Sequence, residues 1–132
     1  MSVTLQSTSI IGLDAVAVSV EVDVSFGIKA FHIVGLPDRA IRESCNRVEA
    51  ALKNSGLPFP RYKITVNLAP AHLKKQGPSY DLAIALGILQ SQGEISAEQT
   101  KNCLVLGELG LDGSIRSVNG ALSAAQYAKS AC

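Results

Sequence analysis

Ser79 is the side chain with the most obvious chemical potential. It follows Gly77 and Pro78, and two lysines, Lys74 and Lys75, stand just upstream. A serine becomes a nucleophile when a base removes its proton, and a lysine serves as that base only where burial lowers its pKa. Residues 69–78 are rich in proline, lysine and glycine and read as a solvated loop, a setting that leaves both lysines protonated. The simpler role for Ser79 is a helix N-cap, with Asp81 in the first turn, where negative charge suits the helix dipole.

Other residues invite chemistry more weakly. Arg61, Lys63, His72, Lys74 and Lys75 cluster between residues 61 and 77. They form either an edge that contacts phosphates or a neighbouring subunit, or an ordinary solvated segment. Tyr62 is the one aromatic among them, so a stacking platform for single-stranded nucleic acid is poorly supported. His32 lies beside Phe31 and Ile33, and His72 is the only other histidine, too little for a metal site. Glu108 and Asp112 flank a turn, where carboxylates are usually just solvated.

Bulk properties narrow the classes. The chain has 132 residues, 47% of them hydrophobic, enough for one globular domain with a real core. Charged residues are 17% and the net charge is +1, so no overall basic character argues for nucleic acid. The three cysteines, Cys45, Cys103 and Cys132, are far apart and form no C-x-x-C pair, which fits a reducing cytoplasm. The start, from Met1 to Gln6, has no leader pattern. The longest apolar run, residues 82–89, is far below the ~20 residues that span a bilayer. Residues 120–132 form an alanine-rich helix pattern without a glycine, proline or polar stop, as expected of a piece of a longer protein.

The elements that must position these residues follow from periodicity. Residues 15–25 place Val16, Val18, Val20, Val22 and Val24 on one parity, a long strand with one buried face. Residues 4–11 precede it as a shorter strand. Residues 30–34 follow Gly27 as a third, in an expected hairpin with the second. Asp38 is placed to cap a helix with Ile41, Cys45, Val48 and Leu52 on one face, ending near Gly56. A strand over 62–68 alternates Ile64, Val66 and Leu68. A helix over 79–92 is apolar nearly all round and must be buried. Short strands at 104–106 and 114–118 flank a turn at Leu111-Asp112-Gly113, and the last helix follows. The sum is a single mixed α/β domain over residues 1–132.

Four stretches, in order, carry a family resemblance. They are Phe31 to Asp38 (FHIVGLPD), Ile64 to Ala71 (ITVNLAPA), Asp81 to Leu89 (DLAIALGIL) and Leu106 to Arg116 (LGELGLDGSIR). Together they resemble the N-terminal region of the ComM/YifB family of magnesium-chelatase-like AAA+ ATPases. The resemblance implies an α+β two-layer fold like domain 2 of ribosomal protein S5 and the proteolytic domain of Lon. It implies no catalytic residue and no cofactor here, with ATP and magnesium bound by a separate AAA+ module. This chain has no G-x-x-x-x-G-K-[ST] phosphate loop. The implied partners are that module, further copies in a hexameric ring, and DNA, with no membrane. The family's implied work is branch migration during natural transformation.

The same resemblance raises one enzyme alternative. Gly77-Pro78-Ser79 is similar to the start of Lon's G-P-S-A-G nucleophile motif, but Tyr80 and Asp81 stand where Lon has alanine and glycine. Laying residues 115–128 on Lon's lysine-bearing segment puts Leu122 at the lysine position, and the next lysine is Lys129. A Ser-Lys peptidase therefore lacks its base. A plain protein- or RNA-interaction module is the third class.

Overall fold

The computed structural model describes residues 2–131. The expectations that involve Met1 and Cys132 lie outside the described residues.

Strands β1 (Ser2–Ile11) and β2 (Asp14–Ser25) form an antiparallel hairpin closed by Gly12 and Leu13. Strand β3 (Ala30–Val34) leads into helices α1 (Arg39–Arg42) and α2 (Ser44–Asn54), and then to β4 (Lys63–Ala69). Helix α3 (Asp81–Ser91) follows, then the short α4 (Ala97–Thr100), a small ribbon of β5 (Glu108–Leu109) and β6 (Ile115–Arg116), and α5 (Ala121–Ala131). The main sheet has the order β1-β2-β4-β3. The mixed α/β class expected from periodicity is the class found.

The expected hairpin between the second and third strands does not form. Strand β4 takes that place, antiparallel to β2, with Val20 opposite Leu68, Val22 opposite Val66 and Val24 opposite Ile64. Strand β3 lies outside β4 and parallel to it. The physical reason is aliphatic content. β4 offers three aliphatic partners on one face to the valine row of β2, whereas the five-residue β3 offers only Phe31 and Ile33 on one face. The helical crossover α1–α2 then lies over the apolar face it connects.

Helices α2 and α3 cover that face. Val18, Val20, Val22, Ile64, Val66 and Leu68 meet Ile41, Val48, Ile84 and Ile88, all at 1% exposure or less. Gly87 lets α3 approach β2 closely, because a Cβ there would stand 2.5 Å from Val22 Cγ2. Gly35, at φ +101, turns β3 toward α1 where a Cβ would collide with the Leu68 carbonyl. The opposite face carries polar side chains such as Glu21 and Asn67, joined by a 2.7 Å hydrogen bond. At the hairpin end, Tyr127 and Ala128 of α5 share a small cleft with Gln6 and Ala17.

Segment 104–109 departs from expectation. The strand expected at 104–106 reduces to one bridge, Leu104 beside Gln6, with the Val105 N–H donating to the Gln6 carbonyl at 2.8 Å. The strand expected over 114–118 is confined to β6. The turn at Leu111-Asp112-Gly113 forms, and Gly110 N–H donates to the Ser114 carbonyl across it. Helix α4, with Ser96 and Gln99 in a reciprocal capping box, was not foreseen.

Candidate functional site

Asp38 caps α1 as expected, its Oδ1 accepting from Ile41 N–H at 2.9 Å. Its Oδ2 accepts from Gly77 N–H, also at 2.9 Å. One carboxylate thus ties the β3–α1 turn to the loop before α3.

Ser79 does not cap α3. The helix begins at Asp81, the cap position falls on Tyr80, and no side chain bonds there. The cause is a competing backbone ladder. Gly107 N–H donates to the Ser79 carbonyl, and Leu82 N–H donates to the Gly107 carbonyl, each at 3.0 Å. A free donor of the first turn is satisfied by a neighbouring segment rather than by a serine hydroxyl.

Asp81 is fully buried and organises three elements. Its carboxylate accepts from Ser44 Oγ at 2.5 Å, from Arg47 Nε at 2.6 Å and from Leu109 N–H at 3.1 Å. A second guanidinium nitrogen of Arg47 reaches it at 3.1 Å and the Ala40 carbonyl at 2.6 Å. The hydrogen bond to Asp81 holds Arg47 more firmly protonated than usual, against the opposing effect of burial. This junction was missed in the sequence. Arg47 reads as a polar-face residue, and only the i, i+3 pairing of Ser44 with Arg47 on one helix hinted at it.

A cleft of about 460 Å³ opens beside this junction, between the 76–80 loop, the edge of β1, Glu108 and residues 117–120. Ser79, Tyr80, Asp38 and Glu108 all line it, and among the described residues no lysine, arginine or histidine does. Tyr80 is fully buried, and its hydroxyl has no hydrogen-bond partner among the described residues. Burial raises its pKa and the Asp38 charge adds to the rise. The Ser9 hydroxyl partly opposes them without reaching bonding geometry.

The lysines divide. Lys74 is exposed, as expected, but the solvated setting expected for Lys75 is not found. Lys75 is fully buried, with Nζ donating to the Gly35 carbonyl at 2.8 Å and to the Pro70 carbonyl. Its backbone N–H also donates to the Leu36 carbonyl, at 3.2 Å. The turn after β3 and the residue that follows β4 supply carbonyls that take the ammonium group out of water. Burial lowers its pKa, but its donors point into these carbonyls and it does not line the cleft that holds Ser79. Lys129, on α5, is exposed and also absent from the lining. Ser79 therefore has no lysine beside it among the described residues.

The basic cluster is likewise divided. Arg61 and Lys63 are exposed at the start of β4, whereas His72 and Lys74 follow its far end. Seven strand residues separate the ends by about 20 Å. His32 is exposed on β3, and no three His, Cys, Asp or Glu residues come together to hold a metal among the described residues. Cys45 is half-buried, with its thiol pKa pushed up to about 11, chiefly by burial. Asp112 stabilises its own turn by accepting from Ser114 N–H and Oγ, which lower its pKa, while Glu108 faces the cleft. The two carboxylates thus serve different places.

Comparison with known proteins gives a consistent set of relatives. The family model for the ChlI subunit of magnesium chelatase matches residues 20–132. An uncharacterized protein of Mycobacterium tuberculosis is 44% identical over 123 residues, covering 93% of this chain and 24% of the relative. The uncharacterized protein YifB of Escherichia coli is 40% identical over 129 residues, or 97% of this chain and 26% of that protein. The competence protein ComM of Haemophilus influenzae is 41% identical over 126 residues, or 93% and 25%. The chain spans about a quarter of the length of these relatives. No described helix is long and apolar enough to cross a membrane.

Proposed function

Because this chain belongs to the family of the ChlI subunit of magnesium chelatase, together with YifB and ComM, we propose that it is the non-catalytic N-terminal accessory domain of a ComM-like AAA+ ATPase. In this reading its fold is of the ribosomal S5 domain 2 type. The observation that carries the proposal is one of length. Between 93% and 97% of this chain aligns with about a quarter of each relative quoted, so it is a unit shared among much longer proteins. The remaining three quarters leave room for an ATPase module. That module would bind ATP and magnesium, since this chain carries no phosphate loop.

The domain's own work is then to shape a cytoplasmic ring of six copies and to guide DNA. The relative from Haemophilus is named for competence, which motivates the DNA part. Arg61, Lys63 and Lys74 are the exposed cations of the original cluster. Their separation along β4 makes them independent contacts to phosphates or to neighbouring subunits. Lys75 is buried and drops out of this role.

The test uses the full-length protein. It should hydrolyse ATP and assemble into a ring, and residues 1–132 alone should do neither. A full-length protein without ATP turnover sinks the ATPase assignment. Replacing Arg61, Lys63 and Lys74 with alanine should weaken DNA binding and flatten its salt dependence by about one unit of slope per lost phosphate contact. Unchanged affinity and slope would remove this domain from the DNA path.

A further inference from the structure

The cleft beside Ser79 has features that neither ring assembly nor DNA contact uses. Its volume, about 460 Å³, lies within the range of small-molecule sites. Its charge is one-sided, because among the described residues Asp38 and Glu108 line it and no cationic side chain does. Glu108 forms no ion pair among the described residues. Of the two cations near it, Arg47 spends its guanidinium on Asp81 and the Ala40 carbonyl, and Arg116, opposite Glu108 in the β5–β6 ladder, makes no ion pair with it and does not line the cleft. Asp38 uses each oxygen once, toward Ile41 and Gly77, and each can accept again.

Tyr80 supplies the independent observation. A buried hydroxyl normally finds a hydrogen-bond partner, and one that does not calls for an explanation. The Tyr80 hydroxyl is buried beside Ser9 and Asp38 at the wall of this cleft and has none among the described residues. Its raised pKa keeps it a neutral phenol, able to accept an N–H and to donate its own proton. A ligand that supplies N–H donors and positive charge satisfies the phenol oxygen and both carboxylates at once. A phosphate or carboxylate ligand would instead face Asp38 and Glu108 without a compensating cation.

We propose that this cleft, walled by Tyr80, Asp38 and Glu108, binds an organic ammonium group of the alkylamine class. That chemistry comes from two sources, a free polyamine or a lysine side chain of a peptide, and the experiment separates them.

Calorimetric titration of the full-length protein with spermidine, and separately with an N-acetylated, C-amidated lysine, reads the binding. Saturable binding of at least one is expected. Tighter binding of spermidine points to a free amine, and tighter binding of the lysine derivative to a peptide. Glu108→Gln should weaken the preferred ligand by about tenfold or more, the scale of a hydrogen bond to a charged group. Tyr80→Phe should weaken it severalfold while leaving the unliganded protein as stable as before or more so, because it deletes a hydroxyl with no partner. That combination separates a binding role from a folding role. Failure of both amines to bind at millimolar concentration overturns the proposal, as does equal binding in wild type and both variants. Tighter binding of inorganic phosphate than of either amine does so too. None of these results bears on ATP turnover, so the family-based proposal stands or falls separately.

Discussion

Replacing Asp81 with alanine should remove a large share of the domain's stability. The carboxylate is fully buried and receives donors from two elements: Ser44 and Arg47 of α2, and the Leu109 N–H of β5. Its loss strands a guanidinium that is only 19% exposed, together with a hydroxyl and an amide. Breaking one side of a buried ion pair costs about 3–5 kcal/mol, against a total stability of roughly 5–15 kcal/mol for a domain. Arg47→Met should cost a similar amount, since it leaves the carboxylate charged with two donors instead of four. The double variant strands no charge, so its cost should fall short of the sum by about 2 kcal/mol or more, within the range of direct coupling. Urea titration followed by far-UV circular dichroism suits the measurement, because the chain has no tryptophan. Unchanged denaturant slopes would confirm that the comparison is between like states. If the single costs add to within about 0.5 kcal/mol, the pair is not coupled and the junction is not held by charge.

Two further perturbations test the packing and the buried lysine. Gly87→Ala should destabilise, because the new Cβ meets Val22 Cγ2 at 2.5 Å and Leu5 Cδ1 at 3.3 Å. Overpacking of about 1–3 kcal/mol outweighs a helix-propensity gain of at most about 1 kcal/mol. Adding Val22→Ala should recover part of the loss, and a higher melting temperature for Gly87→Ala alone would refute the close contact. For Lys75, burial lowers the folded pKa below the ordinary 10.5, so the unfolded chain holds the proton more tightly. The stability of wild type relative to Lys75→Met should therefore rise with pH as it climbs through the folded pKa toward 10.5. A flat or falling difference across that window would mean that the ammonium is not desolvated.

Much of the architecture was legible because it follows from period alone. The valine row of β2 and the alternation of β4 specify a half-buried sheet, and their register joins like side chains into one apolar layer. What periodicity could not give was strand order, since a hairpin at Gly27 and a crossover through α2 leave the same pattern within each strand. The polar interior was also hidden. Lys74 and Lys75 are adjacent and chemically identical in sequence, yet one is exposed and the other fully buried. The difference lies in carbonyls supplied from residues 35 and 70, which no local window contains. Ser79 failed as a cap for the same kind of reason, because Gly107, remote in sequence, had already engaged its backbone.

The four stretches that carry the family resemblance meet at these junctions. Asp38, from the first, holds Gly77 of the loop before α3. Pro70 and Gly35, from the second and first, share the Lys75 ammonium. Asp81, from the third, accepts from Leu109 of the fourth, and Gly107 of the fourth bonds both Ser79 and Leu82. These contacts account for the motifs as joints between distant segments. They also explain where the cleft lies. Tyr80 precedes Asp81 and Glu108 precedes Leu109, so the bond between Asp81 and the Leu109 amide sets the spacing of two cleft walls. A change at that bond should therefore alter the cleft as well as the stability. The residues that build the fold and those that face the empty space between its segments are, at this point in the chain, sequence neighbours.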